Sequence, residues 1–360
     1  MKIALIYSNK RAKFIASNLS KYANVIEIDL SDIELKPYAK IISSVLSFHF
    51  NRNNWQNDYF RTPFFLDYLY KIYTTHIRNK NIGSVDAILQ VGVMFSCDYS
   101  ILQSEKLFLY ADGVYDPDNK FWLASRFGEK FANMQKKIYE SATLSFTFSN
   151  WARNQLNERY GIPLDKIVAC GWGPCLPIPQ RRVTKSGNPR RLIFIGYNPE
   201  IKGLDILLDA FRIVRKKFHD ISLDIVGLEN AFNSKLTEEN IKYHGRCDKG
   251  EIIQLFDKAD VFILPSRYER SAHVILEAMF YGLPVITTNT CGTPEPVLSG
   301  QCGLVITPGS IPELVNAITK ILQDPQGFHL MSENAVNEAF KNWSWEIVCR
   351  RIAENIKANI

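Results

Sequence analysis

The sequence predicts an α/β fold in two domains, each built on a parallel sheet that helices cover on both faces. Short apolar runs alternate with amphipathic helical patterns along the whole chain, which is typical of βαβ units. The length of 360 residues exceeds what one hydrophobic core usually supports. Residues 171–191 are rich in proline, glycine and basic side chains, a composition that indicates a linker between two such series.

Each predicted strand is a short apolar run bounded by polar or turn-forming residues. In the first half of the chain these runs are 3–7, 25–29, 87–91, 107–111 and 145–148. In the second half they are 191–196, 222–226, 241–244, 261–265, 284–288 and 303–306. We therefore place the two domains at 1–180 and 181–344, and Ser344 is the expected N-cap of a last helix.

Composition narrows the class of protein only in part. The net charge of +6 suits an acidic ligand, an anionic membrane surface or nucleic acid, and does not choose among them. The seven cysteines are dispersed and lack C-x-x-C spacing, so we expect neither a disulfide framework nor a zinc site. This cysteine usage places the protein in a reducing cytoplasm. The apolar start is too short for a secretory signal, and we expect no membrane-spanning helix.

Residues 260–286 carry most of the functional information. An apolar strand and a charged loop are followed by a helix predicted to begin near Ser271 and to stop before Gly282. Backbone N–H groups at the start of this helix favour an anion such as a diphosphate. Glu269 on the loop and Glu277 on the helix are eight positions apart, so both carboxylates can line one site. Each could accept paired hydrogen bonds from neighbouring sugar hydroxyls.

The order P-S-x-x-E-x7-E-A-M-x-x-G-x-P-V-I in this stretch resembles the retaining glycosyltransferases of family 4. Further matches follow in the order of that family, at Gly196, Lys202-Gly203, Gly245, Gly292-Thr293-Pro294-Glu295 and Gly303-Leu304-Val305. The resemblance implies the α/β GT-B fold, in which two Rossmann-like parallel-sheet domains face a central cleft. It also implies that the closing helix, residues 345–360, packs back on the N-terminal domain.

The resemblance assigns roles to several residues of the second half. The first glutamate of the family motif contacts the donor sugar and the second holds the ribose, roles that fall to Glu269 and Glu277. Lys202, at the start of a predicted helix, is expected to meet the donor diphosphate beside the strand-ending Gly196. Arg246 follows a glycine turn where relatives place residues against the nucleotide base.

Two places near the expected diphosphate depart from the family pattern. Relatives commonly have an arginine after the strand-ending glycine, whereas this chain has Tyr197, and a phenol cannot replace a guanidinium. Arg267 and Arg270, on the loop beside Glu269, are the candidates for the missing charge.

After the first glutamate, relatives usually have Gly-Phe-Gly where this chain has Arg270-Ser271-Ala272-His273. Ser271 and Ala272 are small enough to let backbone amides approach phosphate, although Ser271 could instead be a helix N-cap. His273 is a further candidate near the donor, yet a lone histidine on a helix is more often structural.

In the first half, Asp112 occupies the place of a His-Asp pair that relatives often carry at the reaction centre.

Residues 48–78 are dense in aromatic and basic side chains and have two interpretations. They could form a surface that touches anionic lipid, as a protein at the inner face of a membrane would need. Alternatively, a helix packs its aromatics into the N-terminal core. We favour the second interpretation, because Phe64, Phe65, Tyr68, Leu69 and Ile72 have the spacing of a buried helix face.

The resemblance implies retaining transfer of a sugar from a nucleotide-sugar donor to a hydroxyl of a glycan or a lipid-linked acceptor, as in polysaccharide biosynthesis. We expect no essential metal, since no D-x-D motif occurs in a suitable place. We also expect no resident cofactor and no nucleic-acid partner. Two other classes remain open. One is a nucleotide-sugar epimerase or phosphorylase of related fold, and the other is a non-catalytic protein that binds a nucleotide-sugar or a glycan.

Overall fold

The structure is a computed structural model that describes residues 1–46, 59–116, 127–228 and 238–360. The chain forms two compact units, one from Met1–Cys170 with Val348–Ile360 and one from Gly171–Ile347. The sequence-based domains had their boundaries at 180 and 344, so the unit boundaries differ from them at both places. Within the described ranges, no helix has both the length and the apolar composition needed to cross a bilayer.

The N-terminal unit contains a parallel sheet of six strands. The strands are β1 (Lys2–Tyr7), β2 (Asn24–Asp29), β3 (Ala87–Val91), β4 (Leu107–Ala111), β5 (Leu144–Thr147) and β6 (Ile167–Ala169). The helices are α1 (Lys13–Leu19), α2 (Pro37–Leu46), α3 (Pro63–Asn79), α4 (Gly128–Ser141) and α5 (Asn150–Tyr160). Short 3-10 turns lie at Lys10–Ala12, Tyr59–Arg61, Tyr99–Leu102 and Leu164–Lys166. The strand order is β2-β1-β3-β4-β5-β6, with Ile3 opposite both Val25 and Ala87.

Helix α3 contains the described part of the aromatic and basic stretch. Phe65, Tyr68 and Leu69 are buried, Ile72 packs against the core, and Phe64 is exposed. The helix begins after Thr62, whose hydroxyl accepts a hydrogen bond from the Phe65 N–H. The interpretation that this helix packs into the core is therefore confirmed for α3, with Phe64 as the exception. Residues 48–58 of the stretch lie outside the described residues.

The C-terminal unit contains a second parallel sheet of six strands. The strands are β7 (Arg191–Ile195), β8 (Ser222–Val226), β9 (Ile241–Gly245), β10 (Val261–Leu264), β11 (Val285–Thr288) and β12 (Gly303–Ile306). The helices are α6 (Leu204–Arg215), α7 (Lys249–Lys258), α8 (His273–Phe280), α9 (Glu295–Gly300), α10 (Ile311–Gln323), α11 (Pro325–Asn342) and α12 (Trp345–Lys357). Residues Val348–Ile360, and with them most of α12, belong to the N-terminal unit.

The C-terminal sheet has the strand order β12-β11-β10-β7-β8-β9. Its first strand, β7, is central, and the chain moves outward on one side through β8 and β9 and on the other through β10 to β12. Open α/β sheets bind ligands at the point of this reversal, beyond the carboxyl ends of the strands. That point lies between β7 and β10, and it selects the loops 196–203 and 265–272. Both loops carry the motifs singled out in the sequence.

All eleven predicted strands are present, each with boundaries within one residue of the prediction. The N-cap prediction for α12 is confirmed, because the Ser344 hydroxyl accepts a hydrogen bond from the Ile347 N–H at 3.3 Å. Strand β6 was not predicted. It has only three residues, which is too short for a periodicity to show.

Candidate active site

Two glycines allow the loops after β7 and β10 to approach each other. Gly203 has a φ of +71°, and a Cβ atom there would lie 2.1 Å from the Pro265 carbonyl oxygen. A Cβ atom on Gly196 would lie 2.9 Å from Cγ of Lys202. A side chain at either position would push the loops apart or displace the lysine. These glycines therefore hold Lys202 close to the end of β7 and beside the loop that follows β10.

Lys202 and Glu269 form an ion pair across these two loops. The two side chains are 24% and 17% exposed, so the pair is mostly sheltered and still open to a ligand. The residues are far apart in sequence, and each was singled out separately by the motif in which it lies. The fold brings together the lysine expected at the diphosphate and the carboxylate expected at the donor sugar.

The segment before α9 also holds the loop that carries Glu269. The Thr293 hydroxyl donates to the Glu269 carbonyl oxygen at 2.7 Å, and the Gly292 N–H donates to the Arg270 carbonyl oxygen at 3.1 Å. Thr293 is fully buried. The motif at residues 292–295 thus has a structural role, because it holds the backbone carbonyl groups of Glu269 and of the next residue.

Two buried hydroxyls lie at the ends of the 265–272 loop without a hydrogen-bond partner. Ser266 follows β10 and is fully buried, and Ser271 precedes α8 and is 9% exposed. The alternative prediction that Ser271 is a helix N-cap is wrong, because Ala272 is the N-cap residue of α8 and no side chain caps this helix. A buried hydroxyl without a partner costs about 1–3 kcal/mol. Such groups are natural contacts for a bound polar ligand.

Glu277 is buried on the second turn of α8. Its Oε1 atom accepts a hydrogen bond from the Cys175 N–H at 2.8 Å, so the carboxylate has a fixed orientation. Cys175 lies in the segment that precedes β7, and its own carbonyl oxygen accepts from Nζ of Lys249 at 3.0 Å. The buried carboxylate is therefore positioned by backbone from another part of the same unit.

His273, the first residue of α8, contacts the same segment before β7. Its Nδ1 atom lies 2.7 Å from the Gly173 carbonyl oxygen, so the imidazole donates from Nδ1 in this arrangement. The ring centroid is 6.3 Å from that of Trp345, whose Nε1 donates to the Pro174 carbonyl oxygen at 2.7 Å. The imidazole thus fixes residues 173–174 against the head of α8, which is the structural role that the sequence allowed for a lone histidine.

The remaining predicted donor-site residues do not take part in the contacts between the two loops described above. Ala272 is buried at the head of α8, and Tyr197 is 63% exposed on the loop after β7. Arg246 is exposed after β9, the edge strand of the sheet. Asp112 belongs to the N-terminal unit, directly after β4.

The two arginines of the 265–272 loop have contacts of their own. The Arg267 guanidinium holds Asp205 with two hydrogen bonds of 2.7 and 2.6 Å. Arg270 donates from Nε to the Tyr268 hydroxyl at 3.1 Å. Nothing in the sequence indicated the partner of either arginine.

Three parts of this site were missed in the sequence. Ser266 belongs to the strand-ending P-S pair and had no assigned role, although its place after a buried strand was a usable signal. Asp205 is 62 positions from its partner Arg267 and Cys175 is 102 positions from its partner Glu277, and no local pattern links these residues. Their contribution depends on tertiary packing alone.

Comparison with known proteins agrees with this geometry. Residues 179–339 match the model of the family Glycosyl transferases group 1. Glycogen synthase from Mycobacterium tuberculosis is 25% identical over 248 residues, which are 65% of this chain and 58% of that protein. The O-antigen chain mannosyltransferase B from Escherichia coli is 29% identical over 237 residues, which are 59% of this chain and 61% of that protein. The matches thus span about three fifths of these relatives.

Solved structures extend the likeness of the fold to both units. The structure of HepE from Anabaena in complex with UDP has a TM-score of 0.69 at 17% identity, covering 99% of this chain and 100% of that one. The predicted GT-B fold class, with its two Rossmann-like parallel sheets, is confirmed by this likeness and by the strand order. The matched segment, residues 179–339, contains every residue of the loops after β7 and β10 described above, so this part of the chain is similar to the family Glycosyl transferases group 1 and lies on a GT-B fold.

Proposed function

We propose that this protein is a retaining glycosyltransferase that moves a sugar from a nucleotide-sugar donor to a hydroxyl of a glycan or lipid-linked acceptor. The observation that carries the proposal is the Lys202–Glu269 pair at the switch point of the C-terminal sheet. A diphosphate needs a cation, and a hexose needs an acceptor of hydroxyl hydrogen bonds. Both groups stand together at the place where such sheets bind nucleotides.

The residues around this pair fit the other parts of such a donor. Ser266 and Ser271 offer hydroxyls without partners, and the α8 N-terminus offers backbone N–H groups for phosphate oxygens. Glu277 is buried with a fixed orientation on the second turn of α8, in the role of a ribose ligand. Relatives named for glycogen and for an O-antigen chain support a polysaccharide acceptor, and the HepE complex supports testing UDP.

In the proposed reaction, the bond between the donor anomeric carbon and the diphosphate oxygen breaks while the acceptor oxygen bonds to the same face. The acceptor proton passes to an oxygen of the departing diphosphate, so no protein base is required. Lys202 stabilises the negative charge that develops on that diphosphate, and Glu269 orients the sugar. Asp112 is the residue of the N-terminal unit that we assign to the reaction centre. We propose that the reaction needs no resident cofactor or metal and takes place in the cytoplasm.

The first experiment is a screen for binding and turnover. Thermal shift and calorimetry with UDP, GDP, UDP-glucose, UDP-N-acetylglucosamine and GDP-mannose would identify the base, and release of the nucleoside diphosphate would report turnover. The expected result is a rise in melting temperature with nucleotides of one base, and release of diphosphate that acceptor accelerates. Retention requires that an α-linked donor gives an α-linked product by NMR.

Glu277→Gln is the matching site variant, with Glu313→Gln as its control. Glu313 also accepts a backbone hydrogen bond, from the Thr307 N–H at 2.7 Å, but it lies beside the edge strand β12. We expect Glu277→Gln alone to weaken nucleotide binding. Isomerisation of the donor without acceptor, or consumption only with free phosphate, would instead favour an epimerase or a phosphorylase. Binding without any turnover would favour a non-catalytic binding protein, and no binding at all would overturn the proposal.

A further inference from the structure

We infer that Arg267 and Asp205 are a positioning pair that sets Lys202 relative to Glu269, and that Arg267 is not the cation that meets the donor diphosphate. The inference rests on the proposed function for the role of Lys202 and Glu269. It concerns the same site and adds two residues to it. Asp205 had no role in the sequence, and Arg267 was a candidate for direct contact with the donor.

Arg267 connects the two loops of the switch point through four hydrogen bonds. Its backbone N–H donates to the Ile201 carbonyl oxygen at 2.8 Å, and Nη1 donates to the Glu200 carbonyl oxygen at 2.7 Å. Its guanidinium also donates to both carboxylate oxygens of Asp205, at 2.7 and 2.6 Å. Glu200 and Ile201 directly precede Lys202 in the chain, and Asp205 follows it by three residues.

Arg267 connects the loop that carries Glu269 to the segment that carries Lys202. It is two residues before Glu269 on the loop after β10, whereas Glu200 and Ile201 precede Lys202 on the loop after β7 and Asp205 lies in the first turn of α6. Gly203, between Lys202 and Asp205, packs directly against the Pro265 carbonyl oxygen. The arginine and the glycine therefore hold the same two loops from opposite sides of Lys202, so that the separation of its ammonium from the Glu269 carboxylate is fixed.

The Arg267–Asp205 pair is expected to restrict the orientation of the two loops more than it raises the free energy of unfolding. The Asp205 side chain is 60% exposed and that of Arg267 is 28% exposed, and ion pairs this open to water add little to stability. The bidentate geometry nevertheless restricts orientation, which lysine could not reproduce. The hydrogen bonds from Arg267 also hold the pKa of Asp205 below its ordinary value, so the carboxylate stays charged at neutral pH.

The alternative is that Arg267 leaves Asp205 and binds the diphosphate directly. The two roles predict opposite signs for Asp205→Asn. If Arg267 is a positioning residue, Asp205→Asn and Arg267→Ala both release the loop and have the same effect. If Arg267 is a donor ligand, Asp205→Asn frees it, so that the affinity for nucleotide stays the same or rises while Arg267→Ala lowers it.

The experiment compares Asp205→Asn, Arg267→Ala, Arg267→Lys and the Asp205→Asn/Arg267→Ala double variant. The readouts are kcat and KM for release of diphosphate, and Kd for UDP and GDP measured separately. A displacement of about 1 Å at a reacting group lowers rates by about 100-fold, so we expect each single variant to lose about 10- to 100-fold in kcat. The double variant should lose no more than the worse single variant, and Arg267→Lys should not restore the rate.

Arg212→Ala is the matched control, because Arg212 also makes a bidentate pair, with Glu238, on the same helix α6. Arg212→Ala should leave kcat and Kd unchanged. The fall in the melting temperature of this variant measures the stability that is lost with such a pair. Hydrogen–deuterium exchange of residues 196–206 gives a readout that does not require turnover. Asp205→Asn and Arg267→Ala should both accelerate exchange there, whereas Arg212→Ala should not.

The outcomes separate this inference from the proposed function. Unchanged exchange and kcat in Asp205→Asn, or additive losses in the double variant, would overturn the positioning role. Tighter UDP or GDP binding by Asp205→Asn would assign Arg267 to the donor. If the wild-type protein neither binds nor turns over any nucleotide-sugar, the proposed function fails, and the exchange measurement alone still decides whether the pair orders the loops.

Discussion

The ammonium of Lys202 is paired with the carboxylate of Glu269 at the ends of two adjacent strands of the C-terminal sheet. In the unliganded protein each group is therefore the counter-ion of the other. Under the proposed function, a donor diphosphate competes with Glu269 for Lys202, and the donor sugar takes the carboxylate that is released. The pair would then keep both charges compensated until a donor supplies groups for both.

Glu269→Gln should strengthen the binding of a nucleoside diphosphate while it impairs transfer. Without the carboxylate, Lys202 is free to bind phosphate, and we expect the Kd for UDP or GDP to fall by about 3- to 10-fold, which corresponds to an ion-pair contribution of about 1 kcal/mol. The rate of transfer should fall because the sugar loses its orienting group. Calorimetry and a diphosphate-release assay measure the two effects.

Glu200→Gln is the control for the loss of charge, since Glu200 is exposed on the same loop as Lys202 and does not pair with it. It should change neither quantity by more than about twofold, because an exposed charge contributes little. If Glu269→Gln weakened diphosphate binding as Lys202→Ala does, the competition between Glu269 and phosphate would be refuted.

Gly203→Ala should be much more damaging than a glycine substitution at an open position of the same unit. The added Cβ would lie 2.1 Å from the Pro265 carbonyl oxygen, whereas Gly309, with a φ of +85°, has nothing within 4 Å. We expect Gly309→Ala to cost about 1–2 kcal/mol for the left-handed backbone alone. Gly203→Ala should cost about 3 kcal/mol or more and reduce turnover. Urea unfolding measures both, and equal losses would show that the close approach of the loops is not needed.

The positions of the strands and the residues of the two switch-point loops could be predicted from the sequence. Buried parallel strands are short apolar runs, so every one of the eleven predicted strands was found in place. The glycine, lysine and glutamate positions were singled out by the resemblance to a known family, because their spacing alone is not specific. Lys202 and Glu269 could thus be proposed for one site before any distance between them was known.

The rest of the site depends on contacts that leave no local pattern. Arg267 and Asp205 are far apart in sequence, and an arginine on a charged loop gives no sign of which carboxylate it will meet. The serine before α8 has the residue type and place of an N-cap, yet Ala272 is the N-cap, the helix begins at His273, and the Ser271 hydroxyl has no hydrogen-bond partner. Which of two adjacent residues becomes the cap is decided by packing, since Ala272 is itself buried.

Ser271→Ala should stabilise the unliganded protein and weaken the binding of nucleotide. Removing a buried hydroxyl that has no partner relieves a desolvation cost, so we expect a gain of about 1 kcal/mol in the free energy of unfolding. Ser310→Ala is a control of opposite sign, because the Ser310 hydroxyl caps α10 by accepting from the Glu313 N–H. It should lose about 1 kcal/mol and leave affinity for UDP or GDP unchanged.

Chemical unfolding and calorimetry separate these two serines. A loss of stability in Ser271→Ala would show that its hydroxyl already has a partner in solution. Unchanged nucleotide affinity in that variant would remove Ser271 from the donor site.

Stability should fall steeply above pH 9 because four buried thiols keep their protons in the folded state. Burial raises the pKa of Cys97, Cys170, Cys302 and Cys349 from 9.0 to about 12. Above pH 9 the unfolded chain loses protons that the folded chain retains, so unfolding becomes more favourable as pH rises toward 12. Between pH 8 and pH 10 each thiol should remove about 1 kcal/mol.

Urea unfolding under reducing conditions at pH 8, 9 and 10 measures this dependence. Cys170→Ala should lower stability at pH 8 and flatten the slope by about one thiol's share. A stability that does not change over this range would mean that the four thiols ionise in the folded protein as readily as in the unfolded chain.

The attachment of residues 173–177 has a practical consequence for anyone who wishes to isolate the donor half. The carbonyl oxygens of Gly173, Pro174 and Pro177 receive hydrogen bonds from His273, Trp345 and Tyr281, and the Cys175 N–H binds Glu277. A fragment cut at residue 181 would lose the peptide that orients the Glu277 carboxylate, to which we assign the ribose. A fragment of residues 171–347 keeps that peptide, and we expect only this longer one to be recovered in a form that binds nucleotide.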